Sequence, residues 1–169
     1  MSDTFITVIA VMVLAVIMFV SPLMATAKQN DSMTQTAVQS IVSDFVNTSA
    51  KEGKITRNNY DKLMQKLDAT GNSYDLELEV RVFDVNPMEG NNGDAIGENI
   101  YYSEFTSTIL NKIMSEDEDE YPLKKGSYLK AKVTNSNVTM GTVLKNFIFS
   151  VIGKDSIAIE VSESTLVNY

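Results

Sequence analysis

Thr4–Ala27 reads TFITVIAVMVLAVIMFVSPLMATA, and no charged side chain interrupts it between Asp3 and Lys28. At ~1.5 Å per residue a helix of this length spans about 36 Å, more than the ~30 Å hydrocarbon core of a bilayer. A buried core helix of a soluble domain is usually shorter than such a run. The stretch therefore predicts a single membrane-crossing helix, with Lys28 onward polar enough for water.

The remaining composition narrows the chemistry. Of 169 residues, about 140 follow the apolar run, enough for one domain with its own core. Cysteine is absent, which removes disulfides and thiolate metal sites, and histidine is absent, which removes the commonest general base and metal ligand. With 14 basic against 22 acidic residues the formal charge is -8, and no segment supplies the basic patch that nucleic acid requires. The sequence accordingly predicts no nucleic-acid partner, no cofactor and no metal site.

Orientation is less determined. No Lys or Arg precedes the apolar run, so the basic n-region of a secretory signal is missing, although Ala25-Thr26-Ala27 resembles a small-residue cleavage site. The positive-inside rule counts only Lys28, offset by Asp31, and a basic leader ahead of Met1 would reverse its direction.

Past Pro22 no Gly or Pro occurs until Gly53. Val38, Ile41, Val42, Phe45 and Val46 recur at spacings of three and four, with Gln35, Gln39, Ser43, Asp44 and Asn47 on other faces. This pattern predicts one helix from about Asp3 to about Ala50, apolar all round in its first half, amphipathic in its second, and capped by Gly53. The expected organisation is an assembly or transmembrane helix over 1–27, its amphipathic continuation over 28–52, and a soluble α+β domain over 53–169. In that domain Thr56 caps a second helix carrying Tyr60, Leu63, Met64 and Leu67, and Gly71 stops it. From Tyr74 to Val82 the period becomes two, with apolar even positions and charged odd ones for the most part, the mark of a strand with one wet face. A solvated loop is expected from Asp84 to Asn99, in which neither Asp84 nor Asp94 starts an EF-hand spacing. A third helix is expected from Ser103 to Ser115, burying Phe105, Ile109, Leu110, Ile113 and Met114. The run Glu116–Glu120 follows as an exposed, mobile acidic segment that Tyr121-Pro122 ends. Gly126–Asn135 reads as a strand with Leu129, Ala131 and Val133 inward, Thr139–Ile152 as a helix stopped by Gly153, and Ser156–Val167 as a strand with Ile157, Ile159 and Val161 inward. The sum is an α+β domain: helices packed on one face of a small antiparallel sheet of three or four strands.

No arrangement in the chain points to catalysis. A Ser or Thr nucleophile would need a Lys base, and no Ser-x-x-Lys pattern sits on a recognisable scaffold. Glu77 and Glu79 share a strand face, but it is the wet one, and solvated carboxylates make poor acid-base pairs. Neither phosphate-binding glycine pattern occurs. The expectation is a non-enzyme. Sequons at Asn30, Asn47 and Asn137 match the frequency of Asn, Ser and Thr and carry no further reading.

A continuous N-terminal helix, half apolar and half amphipathic, leading into a small helix-on-sheet domain resembles type IV pilins and pseudopilins. The ending, YLKAKV, TVLKNFIFSVIG and IAIEVSES, is similar to Tad-type (TadE-like) pseudopilins, as is GKITRNNYDKLMQKLDATGNSYDLELEV. The resemblance covers the layout of the whole chain. It implies a structural subunit whose apolar helix bundles with copies of itself as the core of a surface filament, displaying the domain outward. It also implies lipid as the partner before assembly, pilus or secretion machinery as a further partner, and a location in the cell membrane and then on the surface. The assembly residues expected on that basis are Met1, Asp3, Phe5, Val8, Met12, Val16, Phe19 and Pro22. Phe5 stands where the family carries an acidic residue at the fifth mature position, and Asp3 is the only acid before the helix core. In an apolar bundle Asp3 needs a positive partner, for which the α-amino group of Met1 on a neighbouring copy is the candidate. Two alternatives stay open: a single-pass accessory or scaffold subunit of a secretion- or conjugation-type machine that remains in the bilayer, and a signal-cleaved secreted domain.

Overall fold

The computed structural model describes residues 2–83, 101–115, 119–137, 139, 142–143 and 159–169. Helix α1 (Ser2–Glu52) passes through Pro22 as one element. Proline lacks one N–H, so only the Met18 carbonyl loses its helical donor, and the Thr26 hydroxyl donates to the Pro22 carbonyl at 3.0 Å just beyond. Gly53, at φ +67°, ends α1 in the left-handed conformation that a Cβ disfavours.

Two compact units divide the chain: Met1–Gln35 with Val138–Ile159, and Thr36–Asn137 with Glu160–Tyr169. The second is α+β and holds the hydrophobic core. Val38, Val42, Phe45, Val46 and Ala50 form the buried stripe of α1, while Gln39, Asp44 and Asn47 are exposed. Helix α2 (Arg57–Asp68) starts where Thr56 accepts from the Asn59 N–H at 3.2 Å, and buries Leu63 and Leu67. Lys66 pairs with Asp44 of α1 at 2.9 Å; both are exposed, so the pair adds at most about 1 kcal/mol.

Three-residue strands β1 (Lys54–Thr56) and, later, β4 (Glu120–Pro122) make a ribbon that periodicity does not foretell, being too short to show alternation. Their central residues, Ile55 and Tyr121, face each other in register and are buried. The Tyr121 hydroxyl donates to Glu104 at 2.8 Å, and burial together with that carboxylate pushes its phenol well above the ordinary range. Glu120, the last residue of the expected exposed, mobile acidic run, is exposed as expected but belongs to a strand and pairs with Lys54 at 2.6 Å. Glu116–Glu118 lie outside the described residues.

The main sheet contains β2 (Tyr74–Phe83), β3 (Tyr101–Phe105), β5 (Tyr128–Asn135) and β6 (Glu160–Leu166) in the order β3-β2-β5-β6, antiparallel throughout. Leu78, Val80, Val82, Leu129, Ala131, Val133 and Val161 fill its inner face, as the alternation requires. Helix α3 (Thr106–Ile113) corrects the expected third helix. Its first three expected residues, Ser103, Glu104 and Phe105, belong to β3, because they pair with Arg81, Val80 and Glu79. Ile109 and Ile113 are buried as expected and Leu110 is partly buried, but Phe105 (60% exposed) and Met114 (45%) are not. Strand β6 begins at Glu160; of the residues expected inward, Val161 is a buried strand residue and Ile159, just before the strand, is half-buried. Ile157, the loop Asp84–Asn99 and all but Thr139, Thr142 and Val143 of the expected helix Thr139–Ile152 lie outside the described residues. Thr142 and Val143 are helical, and Thr139 Oγ1 accepts from the Thr142 N–H at 3.2 Å.

Candidate functional site

Every residue from Asp3 to Phe19 is exposed. The side chains exposed include Phe5 (68%), Met12 (65%) and Phe19 (73%), with Val8 and Val16 between them at helical spacing. These 3–19 positions make a bare apolar cylinder of about 25 Å, a surface that water does not tolerate on a monomer. The Thr7 hydroxyl donates to the Asp3 carbonyl at 2.8 Å, so it adds no unmet donor to this surface. This helix is long and apolar enough to cross a membrane.

Exposure changes at Val20. Val20, Met24, Asp31 and Thr34 are half-buried and Ala27 is buried, with steps alternating four and three. Such alternation follows one seam of a helix at ~3.5 residues per repeat. Ala27, counted by composition with the naked run, is therefore buried. Pro22 and Leu23, off the seam, stay exposed. Met1 lies outside the described residues, so the structure leaves the expected Met1–Asp3 partnership unaddressed.

The outer face of the sheet carries the other concentration of functional groups. Glu79 accepts from Arg81 Nε at 2.8 Å and from Ser103 Oγ at 3.0 Å, with Lys130 Nζ 4.0 Å away. The Arg81 guanidinium first, then the Ser103 hydroxyl and Lys130, hold the Glu79 carboxyl below the usual carboxylate range against a smaller opposing effect of burial. Lys132 lies between Glu77 (3.9 Å) and Glu160 (3.3 Å). A depression of about 410 Å³ opens between this ladder, Phe105 and the start of α3. A second, of about 280 Å³, lies between α1 and α2, flanked by the Lys66–Asp44 pair and the Asn59–Glu52 hydrogen bond at 2.7 Å. Both are open, and in each a lysine is already paired with a carboxylate, Lys66 with Asp44 and Lys132 with Glu77, which suits a solvated surface better than acid-base chemistry. Among the described residues no group of three acidic side chains converges as a metal site.

Sequence reasoning placed Glu77 and Glu79 on the wet face but missed Ser103 and Glu160 beside them, since both join only through strand pairing. The comparisons add no name: no family model, no curated protein and no solved structure matches the chain.

Proposed function

We propose that the chain is a structural, pilin-like subunit. Its bare helix first resides in lipid and then bundles with helices of other copies to form the core of a surface filament, with the α+β domain displayed outward. The observation that carries this reading is the uninterrupted exposure of an apolar helix from Asp3 to Phe19. An apolar cylinder of that kind is satisfied equally by lipid tails or by like helices, so transfer from one to the other leaves no apolar surface in water. A heterologous contact repeated without closure yields a filament.

The same helix supports a second reading, a single-pass accessory or scaffold subunit that stays in the bilayer beside a secretion-type machine. Electron microscopy of sheared surface material, with mass spectrometry of the same sample, separates the two. Filaments composed of this chain are the expected result. Recovery of the chain only in the membrane fraction overturns the filament reading and leaves the second.

A further inference from the structure

Residues 2–83 are described without a break, and within them α2 carries opposite charges on its two flanks. It runs antiparallel to α1, as the Lys66–Asp44 pair at 2.9 Å and the Asn59–Glu52 hydrogen bond at 2.7 Å show. Between those contacts lies the groove of about 280 Å³, floored by Ile41, Phe45 and Leu63, with Thr48 and Lys62 between its ends. Lys62 is exposed and, among the described residues, has no carboxylate partner. At ~100° per residue, Asn59, Lys62 and Lys66 fall on the flank turned to α1. Asp61 and Asp68, about two turns apart, fall on the flank turned away from it. Both aspartates are exposed and, among the described residues, neither has a cationic partner. Leu63 and Leu67 take up the buried side between the flanks.

We propose that the Asp61–Asp68 flank of one copy docks on the α1–α2 groove of a second copy, with Asp61 against Lys62 and Asp68 beside Lys66. Height decides the match. Copies held by the same helix in one membrane stand level, so each α2 meets its neighbour's α2 parallel to itself. Asp61 is one position from Lys62 and Asp68 two from Lys66, offsets of ~1.5 and ~3 Å along the axis that a lysine side chain spans. Charge decides the direction. A pair joined groove to groove would set Lys62 against Lys62, and one joined flank to flank would set Asp61 against Asp61. Groove against flank brings opposite charges together. These two surfaces differ, so the contact is heterologous and passes from copy to copy. Exposed ion pairs are individually weak, so the contact forms where anchorage concentrates the copies. It rests on membrane anchorage by α1, which both readings of the function share, and not on the filament.

A water-soluble carbodiimide tests the contact, because that reagent joins a carboxylate to an amine only where the two touch. Light and isotopically heavy full-length chains are mixed at high density in phospholipid vesicles, treated, and read by gel and peptide mass spectrometry. The intrachain Lys66–Asp44 amide shows that the reagent has acted. A ladder of dimers, trimers and higher species is expected, carrying a light–heavy link between Lys62 and Asp61. Asp61→Asn and Lys62→Gln each lose that link. An equal mixture of the two variants regains it, with dimers as the largest species it joins, since each variant then supplies one of the two surfaces. Both side chains are exposed, so the variants are expected to melt like the parent. If a variant does not fold, the link map of the parent chain decides, because it needs no substitution. No light–heavy link at Lys62, in a sample that carries the Lys66–Asp44 amide, overturns the proposal. A Lys62 link to a second copy's carboxylate outside α2, in place of Asp61, overturns it too. Absence of filaments from sheared material, with the link present in vesicles, counts against the filament reading alone.

Discussion

Gly53 joins two constraints on one atom position. Its φ of +67° already costs a side-chain-bearing residue roughly 1–2 kcal/mol. A Cβ there would also lie 2.6 Å from the Tyr169 ring, which packs over the end of α1 and donates its hydroxyl to the Leu123 carbonyl at 3.2 Å. Gly126 has φ +86° but open space around it. Gly53→Ala is therefore expected to lower the melting temperature more than Gly126→Ala, and calorimetry of both checks the order. Glu79 predicts a pH effect. Its folded pKa is depressed, so its contribution is present above the unfolded value near 4.5 and lost as pH falls through the folded one. From about pH 5 down to about pH 2, Glu79→Gln is expected to lose less melting temperature than the parent chain, and parallel acid-side slopes would show that the Arg81–Glu79–Ser103 cluster contributes nothing. Asp3→Ala bears on assembly: it is expected to lower filament yield while the domain melts unchanged, and a normal yield in micrographs would remove Asp3 from the assembly residues.

Among the elements, α1 was the most legible and β3 the least. An apolar run without Gly or Pro after Pro22, followed by a three-and-four stripe, leaves helix as the only pattern that fits from Asp3 to Ala50. Tyr101–Phe105 lies beside a helix whose apolar residues, Ile109 and Ile113, stand four and eight beyond Phe105, so local periodicity extends that helix backward. What decides against it is non-local: Thr106 turns its hydroxyl onto the Leu78 backbone, and the residues before it pair with β2. The exposed face of α1 carries its own prediction. Val16→Lys places a charge mid-way along the bare surface, at a cost of about 2.5–3.5 kcal/mol in a bilayer. Retention in the membrane fraction is expected to fall, and with it filament yield. The same substitution at Ser40, on the exposed side of α1 within the second unit, is expected to change neither.

At the scale of the molecule, every described residue of the hydrophobic core cluster belongs to the second unit, from Val38 to Val167. A chain beginning at Thr36 is therefore expected to retain a cooperative melt and its near-ultraviolet circular dichroism, with the first unit contributing anchorage rather than the core. Loss of the transition would show that residues before Thr36 hold the core together. By itself the sequence determined the apolar helix, its amphipathic continuation, the capped α2, and the alternation of β2 and β5. Each follows from side-chain period and cap chemistry within a dozen neighbouring residues. Tertiary structure decided where the apolar run gains a covered seam at Val20, that Lys54–Thr56 and Glu120–Pro122 form a ribbon, and that Ser103 and Glu160 join the charged ladder. Those properties depend on the register between segments far apart in sequence, and register is set by packing that no local pattern records.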